Sequence, residues 1–117
     1  MNKAYAFAYL TDVDFNDEII DYLRRIDDTL APFGGRFLVH GGKISRTEGT
    51  RTGDVIIIEF PDAQAGNAWY DSPAYQAILP LRTENSQGIV ALVEGVPTGY
   101  RALDKLAAQL PDAPSRR

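Results

Sequence analysis

The sequence predicts a single α+β domain in which two β-α-β units form a four-stranded antiparallel sheet with its helices on one face. Two observations indicate this fold class. Alternating and β-branched runs, which are typical of strands, are separated by stretches with the three-and-four spacing of amphipathic helices. The chain has 117 residues, of which 44% are hydrophobic, and this fits one domain with one core.

Two different periods indicate the first strand and the first helix. Residues 4–10 alternate small with large side chains, and this period of two places three aromatic side chains on one strand face: Tyr5, Phe7 and Tyr9. Asp12 and Asp14 are expected to supply turn and N-cap oxygens. Apolar residues then recur at helical spacing: Ile19, Tyr22, Leu23, Ile26 and Leu30. Pro32 is expected to end this helix.

The second and third strands are expected on either side of a polar loop. Residues 36–40 alternate so that Arg36, Leu38 and His40 share one face, with Phe37 and Val39 on the other. Residues 55–60 form the most β-branched run of the chain, which makes them the clearest strand.

The remaining segments complete the order β-α-β-β-α-β, which is the ferredoxin-like order. A second helical region starts at Ala63 and restarts at Ser72, a good N-cap that precedes a proline. Residues 89–93 predict the last strand. We therefore expect a domain over residues 1–96 and an extension over residues 97–117. The extension carries a short amphipathic helix and then a frayed tail from Pro111.

Composition narrows the possible partners. The net charge of −4, without a cluster of basic residues, disfavours binding to nucleic acid and to anionic membranes, and we expect neither as a partner. Cysteine is absent and there is one histidine, so we expect neither a metal site nor a cofactor, although His40 as an axial haem ligand stays an alternative. No apolar run has the length of a membrane span, and we expect a cytoplasmic protein. Because helices cover only one sheet face, we also expect a homodimer.

Several ordered segments are similar to one known family. They are residues 34–39, 59–61, 69–78 (WYDSPAYQAI), 81–82 and 93–95. Together they resemble the domain-of-unknown-function family numbered 1330, of the dimeric α+β barrel superfamily, over residues 3–96. The resemblance implies a homodimer in which two sheets face each other, with a cleft beside each sheet or within the barrel. Cofactor-free oxygenases, isomerases, dehydratases and haem enzymes share that superfamily, so the fold alone does not identify the reaction.

One hypothesis for the site starts from the alternation of the strands. If the predicted faces coincide, the aromatic residues Tyr5 and Tyr9 lie beside Arg36, His40 and Glu59. Arg36 would then bind an anionic group of an aromatic or carbonyl-bearing acid, His40 would transfer a proton, and Glu59 would orient the imidazole. The alternative is structural: Arg36 and Glu59 form an ion pair, and His40 satisfies a hydrogen bond near Gly41.

A second set of candidates lies on the second helical region. Trp69, Tyr70 and Tyr75 either line a cleft against the sheet, where they would bind a ligand, or belong to the core. Arg82 either neutralises the end of its helix or projects its guanidinium into that cleft. Two function classes follow: a small cofactor-independent enzyme acting on an organic acid or aromatic metabolite, and a homodimeric binding or accessory module without catalysis.

Overall fold

A computed structural model describes residues 2–50 and 53–110 of the chain. Its four strands form one antiparallel sheet in the order β2-β3-β1-β4, which confirms the predicted fold class. The elements, in chain order, are β1 (Ala4–Thr11), α1 (Asp17–Leu30), a 3-10 turn (Ala31–Phe33), β2 (Arg36–His40), β3 (Asp54–Phe60), α2 (Ala63–Asp71), α3 (Pro73–Thr83), β4 (Gln87–Glu94) and α4 (Ala102–Gln109).

The core lies between the sheet and the helices on one of its faces. The small residues of β1 point to this side, which we call the helix face, and they are buried: Ala4, Ala6 and Ala8. Their lack of bulk leaves room for large side chains from the helices and from β3. The core cluster includes Tyr22, Ile26, Phe60, Trp69, Tyr75 and Ile78.

The opposite side of the sheet, which we call the free face, carries no helix. The register places Tyr5, Phe7 and Tyr9 of β1 there, opposite Glu59, Ile57 and Val55 of β3, as the alternation predicted. On β4 the same face carries Ile89 and Val93, which are both more than half exposed. The free face is therefore largely apolar and, within one chain, open to solvent.

A β-bulge in β2 corrects the predicted position of His40. The pairing runs Arg36 with Glu59 and Phe37 with Ile58, and then skips Leu38, so that Val39 pairs with Ile57 and His40 with Ile56. One extra residue reverses the faces that follow it, because successive side chains alternate. Arg36 consequently lies on the free face and His40 on the helix face, and the prediction that they share a face is wrong.

Two further predictions concern chain ends and turns. Asn16 caps α1, where Asp12 and Asp14 were expected, and its Oδ1 accepts hydrogen bonds from the backbone of Glu18 and Ile19. Asp12 instead occupies the turn, with a positive φ of 51°. The frayed tail predicted from Pro111 lies outside the described residues.

Candidate functional site

A partly enclosed cavity of about 310 Å³ lies between the helix face of the sheet and helices α1 and α3. Its walls are mainly apolar and come from β1, β3 and α1, including Ala6, Ile19, Ile26, Ile56 and Ile58. Most of its polar lining residues come from the ends of elements: His40, Asp54, Arg82 and Ser86. This volume is at the lower end of the range found for small-molecule sites.

Two buried tyrosines form the polar centre of the cavity wall. The hydroxyl of Tyr22 on α1 lies 2.7 Å from the hydroxyl of Tyr75 on α3, and either oxygen can be the donor. The rings meet edge to face with their centroids 6.2 Å apart. Burial, followed by the interaction with Tyr75, raises the pKa of Tyr22 well above its ordinary value. Tyr22 is therefore a neutral hydrogen-bonding group at any physiological pH.

Arg82, in the last turn of α3, extends this polar cluster. Burial alone lowers the pKa of its guanidinium, but interactions with Tyr75 and Tyr22 outweigh burial and raise the pKa. The side chain is half-buried and lines the same cavity. We call Tyr22, Tyr75 and Arg82 the Tyr–Tyr–Arg cluster. It combines a permanent positive charge with two hydroxyls in an otherwise apolar space.

Hydrogen bonds at one end of the helices hold this cluster in place. The side chain of Asn85, just after α3, accepts from Asn16 at 2.6 Å and donates to Glu18 at 2.8 Å. It also donates to the carbonyl of Leu81. The end of α3 is thus fixed to the start of α1, and Arg82 and Tyr22 are carried by the two helices that it joins.

Trp69 forms part of the cavity wall beside Tyr75. Its indole is 2% exposed and packs against the Tyr75 ring, with the centroids 4.1 Å apart. The indole nitrogen donates to Thr29 Oγ1 at 3.0 Å, so it is satisfied within the core. Trp69 is both a core residue and a cavity-lining residue. Core packing and a position in the wall of a cleft, which the sequence offered as alternatives for Trp69, therefore do not exclude each other.

His40 lies at the exposed end of the cavity. Its ring stacks on Phe37, with centroids 4.4 Å apart and planes within 5° of parallel. Asp54, at the start of β3, and the exposed Phe15 also line the cavity. An imidazole in this position can reach a molecule that occupies the cavity.

The remaining candidates lie on the free face. Glu59 is paired with Arg36, whose Nε donates to Oε1 at 2.9 Å, and with Lys3, whose Nζ lies 3.5 Å from Oε2. The hydrogen bond from Arg36 is the main reason that the pKa of Glu59 is lowered. Tyr5 lies opposite Glu59, and the hydroxyl of Tyr9 accepts a hydrogen bond from the backbone of Gly53 at 2.8 Å.

The structure therefore divides the predicted site residues between the two faces of the sheet, and it separates His40 from the others of its own set. His40, Trp69, Tyr75 and Arg82 line the cavity, whereas four others lie on the free face: Tyr5, Tyr9, Arg36 and Glu59. The prediction that Glu59 orients His40 is wrong, because the bulge at Leu38 places them on opposite faces. The ion pair between Arg36 and Glu59, which the structural interpretation of the sequence predicted, is present.

The sequence interpretation missed Tyr22 as a polar group. Tyr22 was assigned to the apolar side of α1 because its spacing matches Ile19 and Ile26. A buried tyrosine hydroxyl needs a hydrogen-bond partner. The tyrosine among the aliphatic residues of α1 is therefore the feature of the sequence that indicates a buried polar group. Its partner on α3 is 53 residues away in the chain.

In the part of the chain that the structure describes, no group of three or more His, Asp or Glu residues is arranged to hold a metal ion. No described helix combines the length and the apolar character that a bilayer-spanning helix requires.

Solved structures with this architecture include three that cover most of the chain. RPA0582, a protein of unknown function from Rhodopseudomonas palustris, is 15% identical with a TM-score of 0.58, covering 82% of this chain and 84% of its own. A dimeric ferredoxin-like protein of unknown function from Jannaschia sp. CCS1 is 16% identical with a TM-score of 0.59, covering 81% and 99%. SnoaB from Streptomyces nogalater, a cofactor-independent oxygenase, is 17% identical with a TM-score of 0.57, covering 86% and 100%.

At these identities the structural neighbours establish the ferredoxin-like fold and no activity. No curated protein matches the sequence. A family model does match, over residues 3–96, and its description is "Domain of unknown function (DUF1330)". The match covers β1 through β4 and all residues of the cavity named above, so the chain belongs to the DUF1330 family.

Proposed function

We propose that this protein is a homodimer that binds a small, mainly apolar organic acid in the cavity of each subunit. The observation that carries the proposal is the Tyr–Tyr–Arg cluster in the wall of an otherwise apolar cavity. The apolar wall suits an aromatic or aliphatic body, and the cluster suits one anionic oxygen group.

The hydrogen-bonding capacity of the cluster defines what it binds. A guanidinium has only donors, and two hydroxyls have two hydrogens. The bond between Tyr22 and Tyr75 uses one of these hydrogens, which leaves the other for a ligand. The cluster thus offers donors and a positive charge. A carboxylate, an enolate or a carbonyl oxygen matches it, whereas an ammonium group does not.

The surroundings strengthen this preference. Hydrogen bonds between ionised groups contribute roughly 1.5–3 kcal/mol, and they are stronger where water is excluded. Such an energy corresponds to roughly a 10- to 150-fold difference in affinity between an acid and its neutral analogue. The neutral state of Tyr22, which follows from its raised pKa, keeps its hydroxyl available as a donor.

The homodimer is supported by the free face. Its exposed apolar side chains, such as Ile89 and Val93, are typical of a surface that another protein covers. The neighbour from Jannaschia is described as dimeric. Two copies packed sheet to sheet would enclose Tyr5, Tyr9 and Arg36. A ligand role for these residues would belong to that interface and not to the cavity site, and it stays a prediction. A cytoplasmic location, supported by the absence of cysteine, also stays a prediction.

The only tryptophan of the chain allows a direct binding test, since Trp69 lines the cavity. We expect 4-phenylbutyrate, an aromatic ring with one carboxylate, to change Trp69 fluorescence in a saturable way. The Arg82→Gln substitution should weaken this binding at least tenfold, because it removes the charge. The neutral analogue 4-phenylbutan-1-ol should bind the variant and the wild type alike.

Arg36→Gln is the matched control, because it removes the same charge from the other face of the sheet. It should leave the affinity for 4-phenylbutyrate within twofold of the wild type. Circular dichroism establishes that both variants are folded. Equal affinities for the two variants, or weaker binding only in Arg36→Gln, would contradict the proposed site.

A cofactor-independent enzyme is the second candidate, and the position of His40 favours it. The Tyr–Tyr–Arg cluster would stabilise an enolate oxygen, while His40 at the open end of the cavity would take the proton from the adjacent carbon. SnoaB shows that a protein with this fold can be a cofactor-independent oxygenase. Glu59 has no part in this scheme.

Proton abstraction can be measured with a simple ketone. We expect 4-phenylbutan-2-one in D2O to exchange its α-protons faster with the protein than without it, as followed by proton NMR. His40→Ala should abolish the acceleration and leave binding of the ketone unchanged. Exchange that is not accelerated by the wild type would favour the binding module.

A further inference from the structure

The C-terminal helix α4 carries an apolar side that its own subunit leaves exposed. None of its eight residues is buried, and its leucines are about half exposed: Leu103, Leu106 and, just after the helix, Leu110. With none of its side chains buried, the helix makes little packing contact with the body of its own domain.

The residues of α4 are divided cleanly between two sides. At 100° per residue, one side carries Ala102, Leu103, Leu106, Ala107 and Leu110. The other side carries Asp104, Lys105, Ala108 and Gln109. Such a pattern is typical of a helix that packs one side on another protein surface.

An α-helix of this length needs a packing surface to persist. Isolated helices shorter than about 12–15 residues are marginally stable in water. Asp104 Oδ2 accepts a hydrogen bond from the backbone nitrogen of Arg101 at 3.1 Å, which helps the first turn. This one contact does not replace tertiary packing, so the apolar side is expected to be covered in the working protein.

The position of α4 in the chain identifies what covers it. It follows β4, which is an edge strand of the sheet and contributes Ile89 and Val93 to the free face. Val96, between β4 and α4, is also exposed at 62%. Exposed apolar residues therefore occur on β4, on the connecting segment and on the helix. A partner that covers the free face at this edge strand lies next to the segment of chain that leads to α4.

We propose that α4 packs its apolar side on a second copy of this chain and so extends the dimer interface beyond the sheet. In a dimer with two-fold symmetry, both subunits contribute the same surface to the interface, so the α4 helix of each subunit is covered by the other subunit. The inference rests on the homodimer of the proposed function. It adds a segment that lies beyond the residues matched by the family model, which end at residue 96.

The test compares two variants with the same added charge. Leu103→Glu/Leu106→Glu changes the apolar side, and Ala108→Glu/Gln109→Glu changes the polar side, while glutamate keeps a high helix propensity in both. By sedimentation equilibrium, we expect the first variant to raise the dimer dissociation constant at least tenfold and the second to change it less than twofold. Near-wild-type circular dichroism and Trp69 fluorescence establish folding.

Photo-crosslinking of the purified protein provides the second measurement. A benzoylphenylalanine at position 106 should give a product of twice the chain mass, whereas the same group at position 108 should give little. Equal dissociation constants in the two variants, with crosslinks only within one chain, would overturn the inference and leave the sheet-to-sheet dimer standing. A wild-type protein that is monomeric would overturn both.

Discussion

At the scale of single residues, two polar groupings lie on opposite faces of one sheet, and their surroundings differ. Arg36, Glu59 and Lys3 form ion pairs on the free face, where both cations remain mostly exposed. The Tyr–Tyr–Arg cluster lies on the helix face, in a cavity. The second grouping places its donors in the wall of an apolar cavity of about 310 Å³.

The ion pairs of Glu59 predict a dependence of stability on pH. Because the folded state lowers the pKa of Glu59 below its ordinary 4.5, its ionisation stabilises the fold above that pH. This contribution is lost as the pH falls through the lowered pKa. We therefore expect Glu59→Gln to be less stable than the wild type at pH 7, with the difference shrinking below pH 4.5 and disappearing once the pH is below the lowered pKa of Glu59.

Urea unfolding at several pH values and one fixed protein concentration measures this effect. Glu48→Gln, in an exposed loop, is the control, and its effect should stay within about 0.5 kcal/mol. A difference between Glu59→Gln and the wild type that does not shrink in acid would contradict the assignment.

Thr29 predicts a second residue-scale effect. Its buried hydroxyl accepts from the Trp69 indole and donates to the carbonyl of Ile26 at 2.7 Å. Thr29→Val leaves the indole nitrogen buried without this acceptor, and we expect a loss of about 1–3 kcal/mol in the free energy of unfolding. Thr29→Ser keeps the hydroxyl and should lose less. If valine were tolerated as well as serine, the hydrogen bond would not matter to stability.

At the scale of elements, local patterns determined most of what the sequence predicted correctly. The aromatic alternation of β1 and the serine before Pro73 act within a few residues, and both lie where the sequence placed them. The bulge in β2 is different. The extra residue is Leu38, the middle one of three consecutive apolar residues, and such a run does not identify which residue is left out of the pairing, so local pattern did not locate the reversal of faces.

The pairing of Tyr22 with Tyr75 was likewise beyond local pattern. The two residues lie on different helices, and their meeting depends on how α1 and α3 pack on the sheet. The sequence placed Tyr75 and Arg82 near a cleft, but the polar centre of that cleft required the tertiary structure.

Ser72 provides a prediction at the scale of elements, because it joins α2 to α3. Its Oγ accepts from the backbone nitrogen of Tyr75 at 3.2 Å and donates to the carbonyl of Trp69 at 2.7 Å. We expect Ser72→Ala to lower the free energy of unfolding by about 1 kcal/mol. Thermal unfolding measures it, with the exposed Ser45→Ala as control. Equal midpoints for the two variants would show that the cap is dispensable.

At the scale of the whole molecule, one sheet separates two surfaces with two proposed roles. The cavity on the helix face is lined by residues of one subunit, whereas the free face and α4 are exposed within one subunit and are proposed to pack on a second copy. The proposed ligand binding and the proposed dimerisation would thus use different residues, and substitutions on one side of the sheet are expected to leave the other function intact.

A crystal structure with 4-phenylbutyrate bound tests the central proposal most directly. We expect its carboxylate within about 3 Å of Arg82 and of a hydroxyl of Tyr22 or Tyr75, with the phenyl ring in the cavity beside Trp69. A ligand held between two facing sheets, with its carboxylate on Arg36 and the cavity free of it, would contradict the proposal.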